Sequence, residues 1–407
     1  MALETRELGQ QVSDLAIVTG KPLFSEPLHV GRPNVGSEEV LLKRIQETIH
    51  RRWFTNNGPM VQEFEAELKR ALGVRHCIPI CNATVALEIA IRALELTGEV
   101  IVPSFTFIAT AHALQWQEIT PVFCDIAPGS HNLDPERAAR LITPRTTGII
   151  GVHVWGKPCD HEALSRLAAE QNLKLMYDAS HAFGCSSGGR RIGNFGACEV
   201  FSFHATKFFN SFEGGAIATN DEELARKIRL MKNFGFSGVD RVTLVGTNGK
   251  MNEISAAMGL TGLESLAQFI ETNRRNYRLY RSRAQHMRGV NMVSFDEREA
   301  NNYQYIVFEI DEDVTGISRD EIVQLLEAEN VLARRYFYPG CHRMEPYKSY
   351  FPHAGLLLPR TEALCERVLV LPTGTAIEPQ DIYALCGVIE TALRFPLECR
   401  SALRRTS

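Results

Sequence analysis

A chain of 407 residues that is 44% hydrophobic and 23% charged carries enough apolar surface for a large buried core and, by its size, for two or three domains. Its formal charge of −4 and its lack of any dense basic run exclude the electrostatic footprint of a nucleic-acid binder. No eighteen apolar residues run together and the first residues are acidic, so the expected setting is the cytoplasm, with neither membrane nor export; the ten cysteines, mostly in apolar runs such as HCIPIC (76–81), suit reduced core thiols, and without CxxC or HExxH no metal is expected.

In chain order, residues 1–30 read as an N-terminal extension, 31–265 as a large domain and 266–407 as a small C-terminal domain. At CNAT (81–84) small polar residues lead into the alanine-rich VALEIAIRAL (85–94), a helix start. Short β-rich runs follow: EVIVPS (99–104), PVFCDI (121–126), GIIGVHVW (148–155), LKLMYD (173–178), EVFSFHA (199–205) and GAIATN (215–220). Their lengths suit buried strands. Among them, DHEALSRLAAEQN (160–172) puts Leu164, Leu167 and Ala168 on one helical face, as a crossover between parallel strands would. The middle of the chain is therefore expected to be an α/β layer with a mostly parallel sheet. DEELARKIRLMKNFGF (221–236) predicts a helix capped by Asn220 or Asp221, and residues 253–285 predict long helical material leading out of the layer. YQYIVFEI (303–310), a capped helix at SRDEIVQLLEAEN (318–330), VLARRYFYP (331–339) and a helix near 378–393 make the remainder a smaller α+β unit.

Three places could carry chemistry. Lys207 lies between the apolar run FSFHAT and a Glu-Gly-Gly turn. It is either a stem packed under the sheet with its head reaching water, or a buried amine whose lowered pKa lets it attack a carbonyl. Asp178 ends a predicted strand, where it is either a turn cap or a carboxylate facing a ligand beyond the sheet. The helix start after Cys81 is an ordinary N-cap or an anion site. A phosphate cradle, a carboxylate and a lysine in that order along one α/β layer form a joint pattern rarer than any of its members.

Eight ordered stretches carry a resemblance: WFTNNGPMVQEFE (53–65), CNATVALEIA (81–90), PSFTFIATAHAL (103–114), PVFCDI (121–126), YDASHAFG (177–184), FSFHATKFFNSFEGGAI (201–217), GTNGKMNEISAAMGL (246–260) and RRYFYPGCHRMEPY (334–347). Together they resemble the pyridoxal-phosphate sugar aminotransferases of the DegT/DnrJ/EryC1/StrS family, within the fold type I aminotransferases. The resemblance implies that fold and pyridoxal 5'-phosphate as cofactor. It puts Lys207 at the internal Schiff-base lysine, Asp178 at the partner of the pyridine nitrogen, and His181 beside the phenolic oxygen, where many relatives carry Gln. Phe107 falls at the aromatic stacked on the ring, and Ser202, Ala83 and Thr84 at the phosphate. Asn248 occupies the GxNxRM asparagine that reaches a partner subunit's phosphate, which implies a homodimer with a shared active site. Here Gly249 and Lys250 depart from that pattern, since the family carries Arg where Lys250 stands.

Arg334, Arg335, Tyr336, Tyr338 and His342 are the candidates for a sugar-nucleotide pocket, with a solvated face as the ordinary alternative. The implied reaction is ping-pong transfer of an amino group from glutamate to a nucleotide-linked keto-sugar, nearest to C4 of dTDP-4-keto-6-deoxyglucose in the deoxyaminosugar pathways of antibiotic biosynthesis. A C3-specific aminotransferase and a non-catalytic regulator that kept the fold are the alternatives. Dehydrating relatives carry histidine in place of the lysine, so Lys207 counts against that chemistry.

Overall fold

The computed structural model describes residues 11–406; the first ten residues of the expected extension lie outside them. Seven strands build the central sheet: β1 (His76–Ile80), β2 (Glu99–Pro103), β3 (Thr120–Cys124), β4 (Thr146–Val152), β5 (Lys174–Asp178), β6 (Glu199–Ser202) and β7 (Gly215–Thr219), in the order β1-β7-β6-β5-β4-β2-β3. From β6 across to β3 every neighbouring pair is parallel. β7 alone runs antiparallel, to both β1 and β6. β1 is not among the strand runs read from the sequence; its Pro79, which cannot donate to a ladder, is tolerated because β1 sits at the sheet's edge.

Eight helices matter for the site: α1 (Ala83–Ala93), α2 (Ala109–Gln115), α3 (His161–Glu170), α4 (Glu222–Met231), α5 (Glu253–Glu264), α6 (Leu266–Ala284), α7 (Arg319–Ala328) and α8 (Pro379–Arg394). Strand side chains alternate between the two faces. Val100, Val102, Met176, Val200 and Ile217 pack against α1, α2 and α4. On the other face Ile101, Leu175 and Tyr177 meet Leu164 and Ala168 of α3, and Phe201, Ala216 and Ala218 share a core with Ala256 and Leu260 of α5. Nine of the ten cysteines are buried, and none is paired.

The start of α4 agrees with the sequence expectation, and two later boundaries differ from it for local reasons. Asp221 caps α4 through Leu224 N–H, whereas Asn220 accepts from Arg75 N–H instead. The helix stops at Met231 because Phe234 and Gly235 adopt left-handed backbone, and a Cβ on Gly235 would strike the Leu244 carbonyl. The material at 253–285 is two helices, α5 and α6, separated at Ser265.

The smaller unit is a three-stranded antiparallel sheet of β8 (Val290–Met292), β9 (Ile306–Ile310) and β10 (Val368–Leu371), covered by α7 and α8. α7 has a reciprocal capping box between Ser318 and Glu321. The described part of the N-terminal stretch belongs to this unit's core. Leu15, Phe24 and Leu28 pack among its apolar side chains, Glu329 accepts from Ala16 and Leu23 N–H, and Leu28–His29 pair in parallel with Val331–Leu332.

Candidate active site

The carboxyl ends of β2, β4, β5 and β6 open on one edge, the place where open α/β sheets bind ligands. A cavity of about 280 Å³ lies there, closed on the far side by the smaller unit through Tyr305, Tyr336 and Phe337. Asp178, Lys207, His181, Phe107, Ser202, Ala83 and Thr84 all line it.

Asp178 is the last residue of β5 and is buried. Its Oδ2 accepts from the Thr110 hydroxyl at 2.8 Å and its Oδ1 from Ser180 N–H at 3.0 Å. Oδ1 thus makes the turn cap of one reading, and the same side chain lines the cavity. Thr110 in turn lies 3.2 Å from the Thr106 hydroxyl.

Lys207 sits in the loop after β6, and its amine has one hydrogen bond among the described residues, to Tyr305 Oη at 3.3 Å. Burial pushes its pKa down to about 8, against the opposing pull of Asp178 and Tyr336. Burial also raises the Tyr305 phenol, which stays protonated beside it. A substantial share of Lys207 is thus a neutral, nucleophilic amine near pH 8.

His181 is held below its ordinary pKa by burial first and by the Lys207 charge second. Its Nδ1 accepts the Trp155 backbone N–H at 3.2 Å, and its backbone carbonyl accepts from the side-chain amides of Asn302 and Gln304. The imidazole is neutral and its turn is tied to the smaller unit.

At the opposite end, Asn82 caps α1 through Val85 N–H at 2.9 Å, so the N–H groups of Ala83 and Thr84 in the first turn have no intrahelical acceptor. Ser202 ends β6 beside them. β7 begins at Gly215, where a Cβ would lie 2.8 Å from both Ala83 N and the Phe201 carbonyl. Only glycine lets the Glu-Gly-Gly turn pass this close to the helix start. Phe107 is 58% exposed at the cavity, unlike an ordinary core phenylalanine.

The sugar-pocket candidates separate. Tyr336 lines the cavity, whereas Arg334 and Arg335 are exposed and outside its lining, with Arg334 bridging to Val370. Tyr338 and His342 also lie outside the lining. Phe337 turns inward against Phe105 and Trp155, which carries the chain past the cavity. Tyr338 then packs between the guanidinium groups of Arg319 and Arg335, and His342, 2% exposed, is pinned between the Ser104 hydroxyl (2.7 Å) and Glu362. Both are packing residues. Asn248 is exposed and outside the cavity of its own chain, on a segment bridged to Asn233.

Thr110, Trp155, Tyr305 and Phe337 are site residues that the sequence does not single out. Thr110 is readable only as a hydroxyl four residues after Thr106 on a helix. Nothing local separates Tyr305 from the core tyrosines Tyr277 and Tyr280.

Residues 36–390 match the DegT/DnrJ/EryC1/StrS aminotransferase family. The chain is 40% identical over 324 residues to the dTDP-4-amino-4,6-dideoxy-D-glucose transaminase of Shigella dysenteriae, covering 80% of this chain and 88% of that one. It is 35% identical over 363 residues to the Escherichia coli transaminase of the same name, covering 88% and 97%. The crystal structure of DesI in the presence of its TDP-sugar product is similar at 47% identity and a TM-score of 0.92, over 97% of this chain and 100% of that one.

Proposed function

The chain belongs to the DegT/DnrJ/EryC1/StrS aminotransferase family, whose enzymes depend on pyridoxal phosphate, and from that premise we propose that it moves an amino group from glutamate to C4 of dTDP-4-keto-6-deoxyglucose. The names of the Shigella and Escherichia relatives and the TDP-sugar product of DesI support the nucleotide, and the relatives' names support the carbon. One observation carries the catalytic reading: a depressed lysine, a strand-end carboxylate and an open helix N-terminus share one cavity.

These groups fit the cofactor at each of its ends. The free N–H groups of Ala83 and Thr84, with the hydroxyls of Thr84 and Ser202, suit a phosphate dianion, and Gly215 keeps that cradle clear. Asp178, already oriented by Thr110 and Ser180, suits a protonated ring nitrogen, and the exposed ring of Phe107 suits a stacked face. Pyridoxal phosphate, once bound, supplies an aldehyde that carries the amino group and a ring that takes up the electron pair left when a C–H bond is broken. Lys207, as the free amine, takes the proton from Cα of the donor and delivers a proton at the sugar carbon in the second half-reaction. Tyr305 sits within reach of that amine throughout.

We assign Tyr336 and the neighbouring exposed Arg334 to the sugar nucleotide, with Arg334 toward its phosphates. We also assign the active unit to a cytoplasmic homodimer in which Asn248 meets the cofactor phosphate of a second copy. Support comes from the exposure of Asn248 and from exposed apolar side chains, among them Trp53, Phe54, Phe234 and Phe236, that a second copy would cover. Incubation with glutamate and a panel of dTDP- and UDP-linked 3-keto and 4-keto sugars tests the reading. The expected product is the 4-amino-4,6-dideoxy sugar, identified by mass spectrometry and NMR. A 3-amino product would move the assignment to C3, and no transfer to any sugar would refute it.

A further inference from the structure

Behind His181 lies a line of polar groups that the reaction above leaves without a role. Trp155 is fully buried and left-handed (φ 63°), a conformation that a non-glycine residue keeps only where its surroundings enforce it. That turn aims its backbone N–H at His181 Nδ1 and lays the indole within 14° of the imidazole plane, 6.1 Å between centroids. The indole N–H donates to His131 Nδ1 at 2.7 Å, and His131 Nε2 lies 3.2 Å from Glu309 Oε1 on β9. A ring nitrogen that accepts a hydrogen bond carries no proton, so each neutral imidazole keeps its proton on the other nitrogen. For His131 that proton is donated to Glu309. For His181 it sits on Nε2, which has no protein partner among the described residues and faces the cavity.

We propose that Trp155, backed by His131 and Glu309, is a positioning residue that holds His181 in the Nε2–H tautomer, so that position 181 accepts from behind and donates into the cavity. This rests on the reading of His181 as the group beside the cofactor's phenolic oxygen. Burial and the Lys207 charge oppose a second proton on the ring, which keeps the arrangement neutral. The requirement is chemical rather than steric. Glutamine meets it with Oε1 behind and Nε2–H in front, whereas glutamate has acceptors only.

Solid-state nitrogen NMR of the cofactor-loaded protein with ¹⁵N-histidine, read against the same sample carrying His181→Gln, tests the tautomer directly. The expected difference spectrum has a protonated Nε2 and a bare Nδ1 from about pH 6 to 9. A protonated Nδ1, or an imidazolium, overturns the proposal. Trp155→Phe keeps the backbone N–H but deletes the indole donor, and His131→Leu deletes its acceptor should the first variant not fold. Either is expected to let the second tautomer of His181 appear and to shift the absorbance of the bound cofactor; unchanged spectra in both overturn the role of the indole tether. In turnover, His181→Gln should lose at least about tenfold less kcat than His181→Glu, which should lose about a hundredfold or more with KM for the sugar nucleotide kept. Equal losses overturn the donor requirement. If the parent transfers no amino group, the functional reading fails, while the nitrogen spectrum still decides the tautomer.

Discussion

Asp178 and Lys207 face one cavity and are held in opposite ways. Asp178 ends a strand inside the sheet, and each of its oxygens accepts a hydrogen bond of about normal length from a fixed donor. Lys207 lies on a loop, and among the described residues its amine makes a single long hydrogen bond, to Tyr305. The contrast suits the proposed roles, a carboxylate that keeps its aim and an amine that leaves and returns. Within the site, strand ends and helix starts hold their groups by several hydrogen bonds, and the loop between β6 and β7 presents Lys207 with one among the described residues.

Removing Lys207 should break the contrast most. Lys207→Ala is expected to lower kcat by on the order of 10⁴ or more, because no second lysine among the described residues lines the cavity, yet to keep affinity for the cofactor through the α1 cradle. Stopped-flow turnover and equilibrium dialysis of the cofactor measure the two halves. Next comes the fixed member: Asp178→Asn should cost about 10³ in kcat with the fold intact, read by steady-state kinetics beside circular dichroism.

The pH dependence of cofactor loading sharpens the comparison. Only the neutral amine attacks an aldehyde, and burial brings Lys207 from the ordinary lysine value of 10.5 to about 8. Loading of cofactor-free protein, followed by absorbance, should therefore rise roughly fiftyfold between pH 6 and 8 and level off above. A rate still climbing toward pH 10 would mean the amine is not desolvated. A smaller effect is expected at the support of the fixed member. Thr110→Val removes one of the two donors to Asp178 and should lower kcat about tenfold with KM for the sugar nucleotide unchanged. The smallest kinetic change should come from His342→Ala. It breaks a buried hydrogen-bond pair outside the cavity, costs about 2 kcal/mol of unfolding free energy by denaturant titration, and leaves KM as it was.

How much of this was legible depended on whether a residue's meaning is local. The strand-end position of Asp178, the three-residue step to His181, the small polar entry to α1 and the apolar setting of Lys207 are local patterns, and all four reach the cavity. The segment 334–342 shows the limit. Its aromatic and basic residues look equivalent in the chain, but Phe337 inserts between Phe105 and Trp155, so Tyr336 faces the cavity while Tyr338 and His342 turn into packing. The N-terminal stretch shows the same limit at larger scale. Leu15, Phe24 and Leu28 are too sparse to signal a core of their own and gain one only from strands and helices three hundred residues away.

Composition, strand-length apolar runs and helix caps were enough to determine a mostly parallel α/β layer and the order in which a cradle, a carboxylate and an amine occur along it, because hydrophobic period and capping act over a few residues. Which tyrosine touches Lys207, which side-chain amides hold the His181 carbonyl and which of five candidates line the cavity were decided only when β9 and the 334–342 loop packed across the ends of β4 and β5. Those contacts join residues separated by about a hundred positions or more, and their energy exists only once both partners are ordered.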